Sequence, residues 1–297
     1  MGMRIIPLWD ILKTTQYVDL PMFEFWSSTD DQRNLSYTPA TGVELNMPSC
    51  AAIGYDKPVM ASEAYTGMAH YSETPAGLKP FGDKAFCAGI NQMILHSYVH
   101  QPTDNKPGMT LGQFGSHFNR NNSTWPFISG WLTYQSRIQD VLQQGVASHD
   151  VLYYLGDQLP QYLSYNQSNN LPFGYMFNSC NLDILKNRIK VTDRKMILNG
   201  KVAYSLLSLS PHATLNLETL NRIEELVKEG VIVFAPRPLQ MLSLSDIKNN
   251  KKAFTDLVDK LWGKIDGKSI TSNSYGKGKI YWGVPIAEVL TSRKHPS

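Results

Sequence analysis

Charged side chains are scarce in this sequence. They make up 18% of the 297 residues, and 28 Lys and Arg against 25 Asp and Glu leave a formal net charge of +3. Proteins that bind nucleic acid concentrate Lys and Arg on one face, and this small, scattered excess does not suit that role. Hydrophobic residues make up 42% of the chain, which is enough for a packed core and excludes a disordered protein.

Long apolar runs are missing as well. No run of about 18 apolar residues occurs, so we expect no membrane-spanning helix. The first twenty residues lack the apolar core and small-residue cleavage site of an export signal. The three cysteines, Cys50, Cys87 and Cys180, lie far apart without CxxC spacing. They cannot form a disulfide framework, and each is expected to be a buried thiol.

Several motifs of well-known enzyme classes are also absent. No GxSxG turn follows a predicted strand, which disfavours a serine hydrolase. No HExxH helix is present, no GxGxxG turn follows a predicted strand, and the glycine loop 108–115 lacks the GK[ST] ending of a phosphate loop. Neither a zinc protease nor a nucleotide site is therefore indicated. What the chain does have is aromatic residues, at 11%. Flat rings beside polar groups are typical of sugar-binding sites, although most single rings fill cores.

The first half of the chain alternates apolar segments with helical ones. The apolar segments YVDLPMFEF, PVMASEAY, MILHSYVHQ and DVLYYL predict strands at 17–25, 58–65, 93–101 and 150–155. Helices between them imply a parallel sheet, and polar loops after the strands place function at their carboxyl ends. This is the pattern of a TIM-like (β/α) barrel, but four strands make only about half of the eight that closure requires.

The second half predicts a different α/β unit. An amphipathic helix over 216–229 ends at Gly230 and lies between the apolar strands 202–209 and 231–236. A helix at 254–262 and a strand near 277–285 complete a small three-layer, flavodoxin-like fold. The polar stretch 162–171 is the predicted linker. We therefore expect a partial barrel over 1–165 and a flavodoxin-like domain over 166–297.

Glu24 and Glu63 are the strongest candidates for catalysis. Each lies near the end of a predicted strand beside aromatic residues, among them Trp26 and Tyr65. A pair of carboxylates can divide general acid and base roles, as glycoside hydrolysis requires, or can bind a divalent cation. Alternatively, one or both could be buried partners of an Arg or a backbone amide.

The histidines offer a second set of candidates. His96 and His100 are predicted on one strand, four residues apart and therefore facing the same side. With His117 they could bind a metal ion, but neutral imidazoles that hydrogen-bond sugar hydroxyls fit the pattern better.

Several ordered blocks resemble a known family. The blocks ASEAYTGMAHYSETPAGLKPFGDKAFCAGINQMILHSYVHQP, PGMTLGQFGSHFNRNNSTW and WLTYQSRIQDVLQQG are similar to the catalytic barrel of the α-L-rhamnosidases of glycoside hydrolase family 106. GYMFNSCNLDIL and the α/β unit resemble the domain that follows that barrel. The resemblance implies release of terminal L-rhamnose from glycans, with inversion and with the help of bound calcium. It also implies a periplasmic or secreted bacterial enzyme.

The resemblance assigns roles to particular residues. Glu24 matches the general base, and Glu63 matches a carboxylate that contacts sugar hydroxyls or the calcium ion. The implied substrate-binding residues are Trp26, Tyr65, His96, His100, His117 and Trp125.

The resemblance also predicts a fragment. The family's general acid lies upstream of the position of Glu24, in a segment without a counterpart here, and four barrel strands are unaccounted for. We therefore expect a truncated enzyme with little activity alone, whose partner is the missing N-terminal half of the barrel. The alternatives are a non-catalytic carbohydrate-binding fragment and an exo-glycosidase for another sugar, such as a β-galactosidase.

Overall fold

A computed structural model describes residues 10–27, 43–67, 70–112, 114–159, 171–209, 215–239, 241 and 247–292. The chain divides into two compact units. The first runs from Tyr17 to Ile53 and from Lys57 to Val146. The second contains Ile6–Gln16, the short stretch Gly54–Asp56 and the chain from Ala147 onward.

Three parallel strands form the sheet of the first unit. They are β1 (Met22–Trp26), β2 (Ala61–Thr66) and β3 (Gln92–Leu95), in that spatial order. The described helices of this unit are α2 (Val43–Gly54), α3 (Pro75–Cys87) and α4 (Ile128–Gln144). The last residue of α2, Gly54, belongs to the second unit, as does the short helix α1 (Ile11–Thr14). Single 3-10 turns lie at 15–17, 70–72 and 125–127.

The helices of the first unit pack on one face of its sheet. Phe25 and Tyr65 from the strands meet side chains of α2, α3 and α4 there, among them Ala52, Leu78 and Trp131. On the opposite face Met22, Glu24 and Ile94 are exposed. A sheet covered by helices on one side only is the arrangement of a (β/α) barrel segment, in which the uncovered face is the inner one.

The second unit contains a six-stranded sheet with the order β11-β12-β10-β9-β4-β5. The strands β4 (Val151–Tyr154), β5 (Phe177–Cys180), β9 (Leu206–Leu209), β10 (Ile232–Phe234) and β12 (Gly278–Tyr281) are parallel, and β11 (Ser272–Tyr275) is an antiparallel edge. Counted along the chain, the five parallel strands have the order 2-1-3-4-5, which is that of flavodoxin.

Within its described residues, the second unit also contains four longer helices besides α1 and a small meander. The helices are α5 (Leu182–Asn187), α6 (Leu217–Glu229), α7 (Ile247–Trp262) and α8 (Ile286–Thr291). The meander consists of β6 (Ile189–Thr192), β7 (Lys195–Leu198) and β8 (Val202–Tyr204), paired antiparallel.

Helix α6 follows directly from its sequence. The Asn216 side chain caps its first turn by accepting from the Thr219 amide at 2.9 Å. Its apolar stripe, which includes Leu220 and Ile223, is fully buried. Gly230 ends the helix with φ +113°, a left-handed conformation that favours glycine.

The predicted fold class, a partial TIM-like barrel followed by a flavodoxin-like unit, is confirmed, but the strand DVLYYL lies elsewhere. The structure pairs β4 with β5 and β9 in the second sheet, so three strands rather than four form the barrel segment. The folded chain accordingly divides near residue 147, not 165. A fully buried parallel strand is a continuous apolar run in either sheet, so the sequence of β4 does not indicate which of the two sheets it joins. Of the predicted linker 162–171, only Leu171 lies within the described residues.

Four local expectations also differ from the structure. The strand predicted over 202–209 is divided at Ser205 between β8 and β9, which lie in different sheets. The Gly-, Pro- and Ser-rich stretch 67–80 predicts a loop with a short helix after it, but helix α3 already begins at Pro75, because Thr74 caps it and proline suits a first turn. Strand β3 ends at Leu95. Cys87 is exposed, whereas the other two cysteines are buried as expected. None of the described helices is long and apolar enough to cross a membrane.

Candidate functional site

Glu24 and Glu63 lie side by side on the uncovered face of the first sheet. They are register partners in the parallel pairing of β1 with β2. Register partners project to the same face of a sheet, and neighbouring strands are about 4.8 Å apart. Glu24 is exposed and Glu63 is half-buried. The sequence therefore predicted a real pair of carboxylates, although each lies within its strand rather than at the strand end.

A β-bulge shapes the carboxyl end of β2. Beyond Glu24 the register shifts by one residue, so that Trp26 pairs with Thr66. Tyr65 has φ +66°, and both Ala64 and Tyr65 belong to the helix-covered core. The extra residue thus returns Thr66 to the face that carries Glu63.

Each carboxylate is held by a neighbouring side chain on its own strand. The Trp26 indole Nε1 donates to Glu24 Oε1, and Thr66 Oγ1 donates to Glu63 Oε1 at 2.9 Å. Within the described part of the chain, no Lys, Arg or His lies within ion-pair distance of either carboxylate. The alternative that these groups are paired with arginine is therefore not met among those residues.

Tyr65 is a core residue and not a residue of the open face. Its side chain is fully buried, and its ring lies 5.0 Å from that of Phe25 and 5.3 Å from that of Trp131. Its hydroxyl accepts from Gln135 Nε2 at 2.8 Å, and burial raises the pKa of that hydroxyl above its usual range. The predicted role of Tyr65 as a sugar contact does not agree with this position, since the bulge turns its ring away from the carboxylates.

The three predicted histidines differ in burial and in the segments that carry them. His96 follows the end of β3 and is half-buried, whereas His100 lies in irregular structure and is exposed. His117 is 2% exposed, and burial together with the nearby His70 and His96 lowers its pKa below the usual value. This favours the neutral imidazole, although a side chain buried to this extent offers little surface to a sugar. His96 and His100 do not share a strand, so the basis for expecting them on the same side is lost.

A neighbouring imidazole and a phenol ring surround His117. His70 Nδ1 lies 3.4 Å from His117 Nε2, and the Tyr71 ring centre lies 4.5 Å from that of His117. No group of three or more His, Cys, Asp or Glu side chains among the described residues could hold a metal ion. The metal triad considered from sequence is thus not assembled by these residues.

Two tryptophans present ring surface in the first unit. Trp26 is half-buried and meets Phe114 edge-on at 5.8 Å, while Trp125 is half-buried and lies 6.3 Å from the exposed Tyr98. Partly open rings of this kind can cover the apolar side of a pyranose.

Sequence reasoning missed a buried carboxyl group that contacts the segments following β1 and β3. Glu73 is 4% exposed, its Oε1 accepts from Ser27 Oγ at 2.7 Å, and its Oε2 is hydrogen-bonded to Ser116 Oγ. Burial raises its pKa to about 7, against the opposing effect of the Ser27 hydrogen bond. Its sequence context, SETP, is that of an exposed helix start, so no pattern in the chain could have singled it out.

The second unit has a cavity of its own, of about 370 Å³, at the carboxyl ends of its parallel strands. Tyr153 on β4, Ser208 on β9 and Phe234 on β10 line it together with Trp282. Strands β4 and β9 flank the point where the strand order reverses, which is where open α/β sheets commonly bind ligands.

One family model matches nearly the whole chain. The model of glycoside hydrolase family 106, described as alpha-L-rhamnosidase, matches residues 2–296. A solved rhamnosidase from Novosphingobium sp. PP1Y superposes with a TM-score of 0.81 at 24% identity, covering 95% of this chain and 27% of that one. At this identity the likeness concerns the fold.

A curated protein of Formosa agariphila, provisionally named a beta-glucuronidase, is 33% identical over 270 residues. The match covers 88% of this chain and 21% of that protein. The chain therefore spans about a fifth of the Formosa protein and about a quarter of the Novosphingobium rhamnosidase.

Proposed function

This chain belongs to glycoside hydrolase family 106, the alpha-L-rhamnosidases, and on that basis we propose that its first unit supplies part of a site that releases terminal L-rhamnose from glycans by inverting hydrolysis. The observation that carries the proposal is the Glu24–Glu63 pair on the uncovered face of a barrel-type sheet. The half-buried Trp26, next to Glu24 on β1, adds the ring surface that a sugar requires.

Glu24 is the proposed general base. Its exposed carboxylate leaves room for a water molecule, and the indole of Trp26 fixes one of its oxygens. It would take a proton from that water as the water oxygen attacks the anomeric carbon. The bond between the anomeric carbon and the leaving oxygen breaks, and that oxygen takes a proton from a general acid.

Glu63 is not placed to be that acid. Inverting enzymes separate their two carboxyl groups by about 6.5–9.5 Å, so that water and substrate fit between them. Adjacent strands bring the attachment points of Glu24 and Glu63 to about 4.8 Å, and both point to the same face. We therefore assign Glu63 to binding sugar hydroxyls, and the acid to a residue outside the described set.

Calcium is part of the proposal. The oxygen donors of Glu63 and Glu24 have the chemistry that this ion prefers, and Thr66 orients the former carboxylate. Since calcium takes about six to eight oxygen ligands, two carboxylates supply only some of them. When bound, the ion would polarise and orient the hydroxyl groups of the sugar.

Rhamnoside hydrolysis is tested against the alternatives by comparing aryl glycosides. We expect the chain, alone or with the remaining barrel strands supplied, to cleave aryl α-L-rhamnosides in preference to β-glucuronides and β-galactosides. Preference for either of the latter sugars would assign the site to another exo-glycosidase. L-Rhamnose binding without turnover, unaffected by Glu24→Gln, would instead identify a non-catalytic carbohydrate-binding fragment.

A further inference from the structure

Glu73 joins the segments that follow all three strands of the first sheet. Ser27 comes directly after β1, Gly67 directly after β2, and Ser116 lies in the loop after β3. Ser27 and Ser116 are hydrogen-bonded to the two carboxyl oxygens of Glu73. A Cβ on Gly67 would lie 2.8 Å from Glu73 Oε1 and 2.7 Å from the Ser27 carbonyl oxygen, so only glycine fits there.

A count of protons identifies the form of Glu73. Ser116 Oγ lies within hydrogen-bond distance of Glu73 Oε2 and also of the Tyr65 carbonyl oxygen, at 3.1 Å. A serine hydroxyl has one proton to donate. If Glu73 were ionised, two buried acceptors would compete for that proton and one would go without. If Glu73 is neutral, its own O–H donates to Ser116 Oγ, the Ser116 hydroxyl donates to the Tyr65 carbonyl, and every group is satisfied.

We propose that Glu73 is a neutral carboxylic acid that acts as a positioning residue for the Glu24–Glu63 site. Its proton begins the relay from Glu73 to Ser116 to the Tyr65 carbonyl, which fixes the bulge at Tyr65. The bulge in turn sets Thr66 beside Glu63. This inference rests on the proposed function of Glu24 and Glu63.

Two further contacts extend the relay to β1. Glu73 Oε1 accepts from Ser27 Oγ, and the Ser27 amide donates to the Thr66 carbonyl oxygen at 2.8 Å. Ser27 directly follows Trp26, whose indole holds Glu24. A left-handed φ at a tyrosine persists only where the surroundings fix it, and the relay is such a constraint.

The electrostatic environment is consistent with a neutral Glu73. Burial raises the pKa of this carboxyl to about 7. The titratable side chains on the surrounding segments are His70 on its own turn, His96 and His117 around the β3 loop, and Glu24 and Glu63 on the strands. The cationic forms of the histidines would favour an ionised Glu73, but burial and the neighbouring His70 and His96 lower the pKa of His117 and so disfavour its cationic form.

Glu73→Gln is the decisive variant, because an amide mimics the neutral acid: its N–H can donate to Ser116 and its carbonyl can accept from Ser27. In the full chain we expect Glu73→Gln to keep the melting temperature of the wild type near pH 5 and to exceed it by several degrees above about pH 8. Glu73→Leu and Ser116→Ala should be less stable than the wild type at both pH values. Infrared difference spectra of wild type and Glu73→Gln should show the carbonyl band of a neutral carboxylic acid near pH 5.

L-Rhamnose affinity separates a positioning role from a purely structural one. We expect wild-type affinity to fall with a midpoint near pH 7 and the affinity of Glu73→Gln to lose that step, while Ser116→Ala weakens binding. Absence of the neutral-acid band, or a Glu73→Gln variant as unstable as Glu73→Leu, would overturn the proposal. If the wild type binds no rhamnose, the proposed function fails while the infrared and melting measurements still decide the state of Glu73.

Discussion

Replacing Glu73 by Gln has an effect on stability whose size and sign follow from the structure. Burial raises the pKa of the Glu73 carboxyl from its ordinary value of 4.5 to about 7. The folded protein therefore holds one proton more than the unfolded chain between these two values, and wild-type stability decreases as pH rises through that window. One pKa unit corresponds to about 1.4 kcal/mol, so the loss is about 3 kcal/mol once the pH exceeds 7. Glutamine does not titrate and should escape this loss.

The assay is denaturant unfolding of wild type and Glu73→Gln, at about pH 5 and at about pH 9, followed by tryptophan fluorescence. The free energy of unfolding of Glu73→Gln relative to the wild type should rise from near zero to about +3 kcal/mol over that range. Asp140→Asn, which removes an exposed carboxyl from α4 in the same unit, is the matched control and should give a difference that is flat with pH. If Glu73→Gln also gives a flat difference, Glu73 is ionised in the folded protein and the reasoning from its burial is refuted.

Three other predictions concern the same unit. Glu24→Gln should lower kcat/KM for an aryl α-L-rhamnoside by about 10²–10⁴, the usual contribution of a general base, while Glu63→Gln should mainly raise KM; the reverse pattern would exchange the two roles. Calcium titration by calorimetry should show weaker binding to Glu63→Gln than to wild type, and equal affinities would remove Glu63 from the ligand set. Gly82→Ala should destabilise the protein by about 1–3 kcal/mol in thermal unfolding, because a Cβ there would lie 2.2 Å from Tyr65 Oη. Gly77→Ala in the same helix meets only an ordinary contact at 3.5 Å, and an equal loss for both variants would contradict the steric explanation.

The sequence predicted the features that depend on local pattern. Helix α6 has its cap, its apolar stripe and its terminal glycine in the order the structure uses, and β1 and β2 carry Glu24 and Glu63 next to each other as expected. The helix follows from residue spacing within one segment, and the neighbouring carboxylates follow from the tendency of consecutive parallel strands to lie side by side.

The features that the sequence did not predict depend on contacts between distant segments. The resemblance implied that Tyr65 contacts the sugar. The bulge that turns its ring inward involves Ser116 in a remote loop, whose hydroxyl lies 3.1 Å from the Tyr65 carbonyl oxygen. Strand β4 was assigned to the wrong sheet because its partners β5 and β9 lie later in the chain. Glu73 was missed because its burial results from the meeting of three separate segments.

The bulge in β2 has a consequence for recognising similar sites in other sequences. It changes the two-residue repeat of a strand into a three-residue step, so that Glu63 and Thr66 share one face although an odd number separates them. A sequence search that assumes strict alternation along a strand would place Glu63 and Thr66 on opposite faces. It would then reject the pair, or assign the three-residue spacing to a helix. Searching apolar strand segments for Glu-x-Tyr-Thr, with a small residue before the tyrosine, would recover carboxylates whose supporting hydroxyl is displaced in this manner.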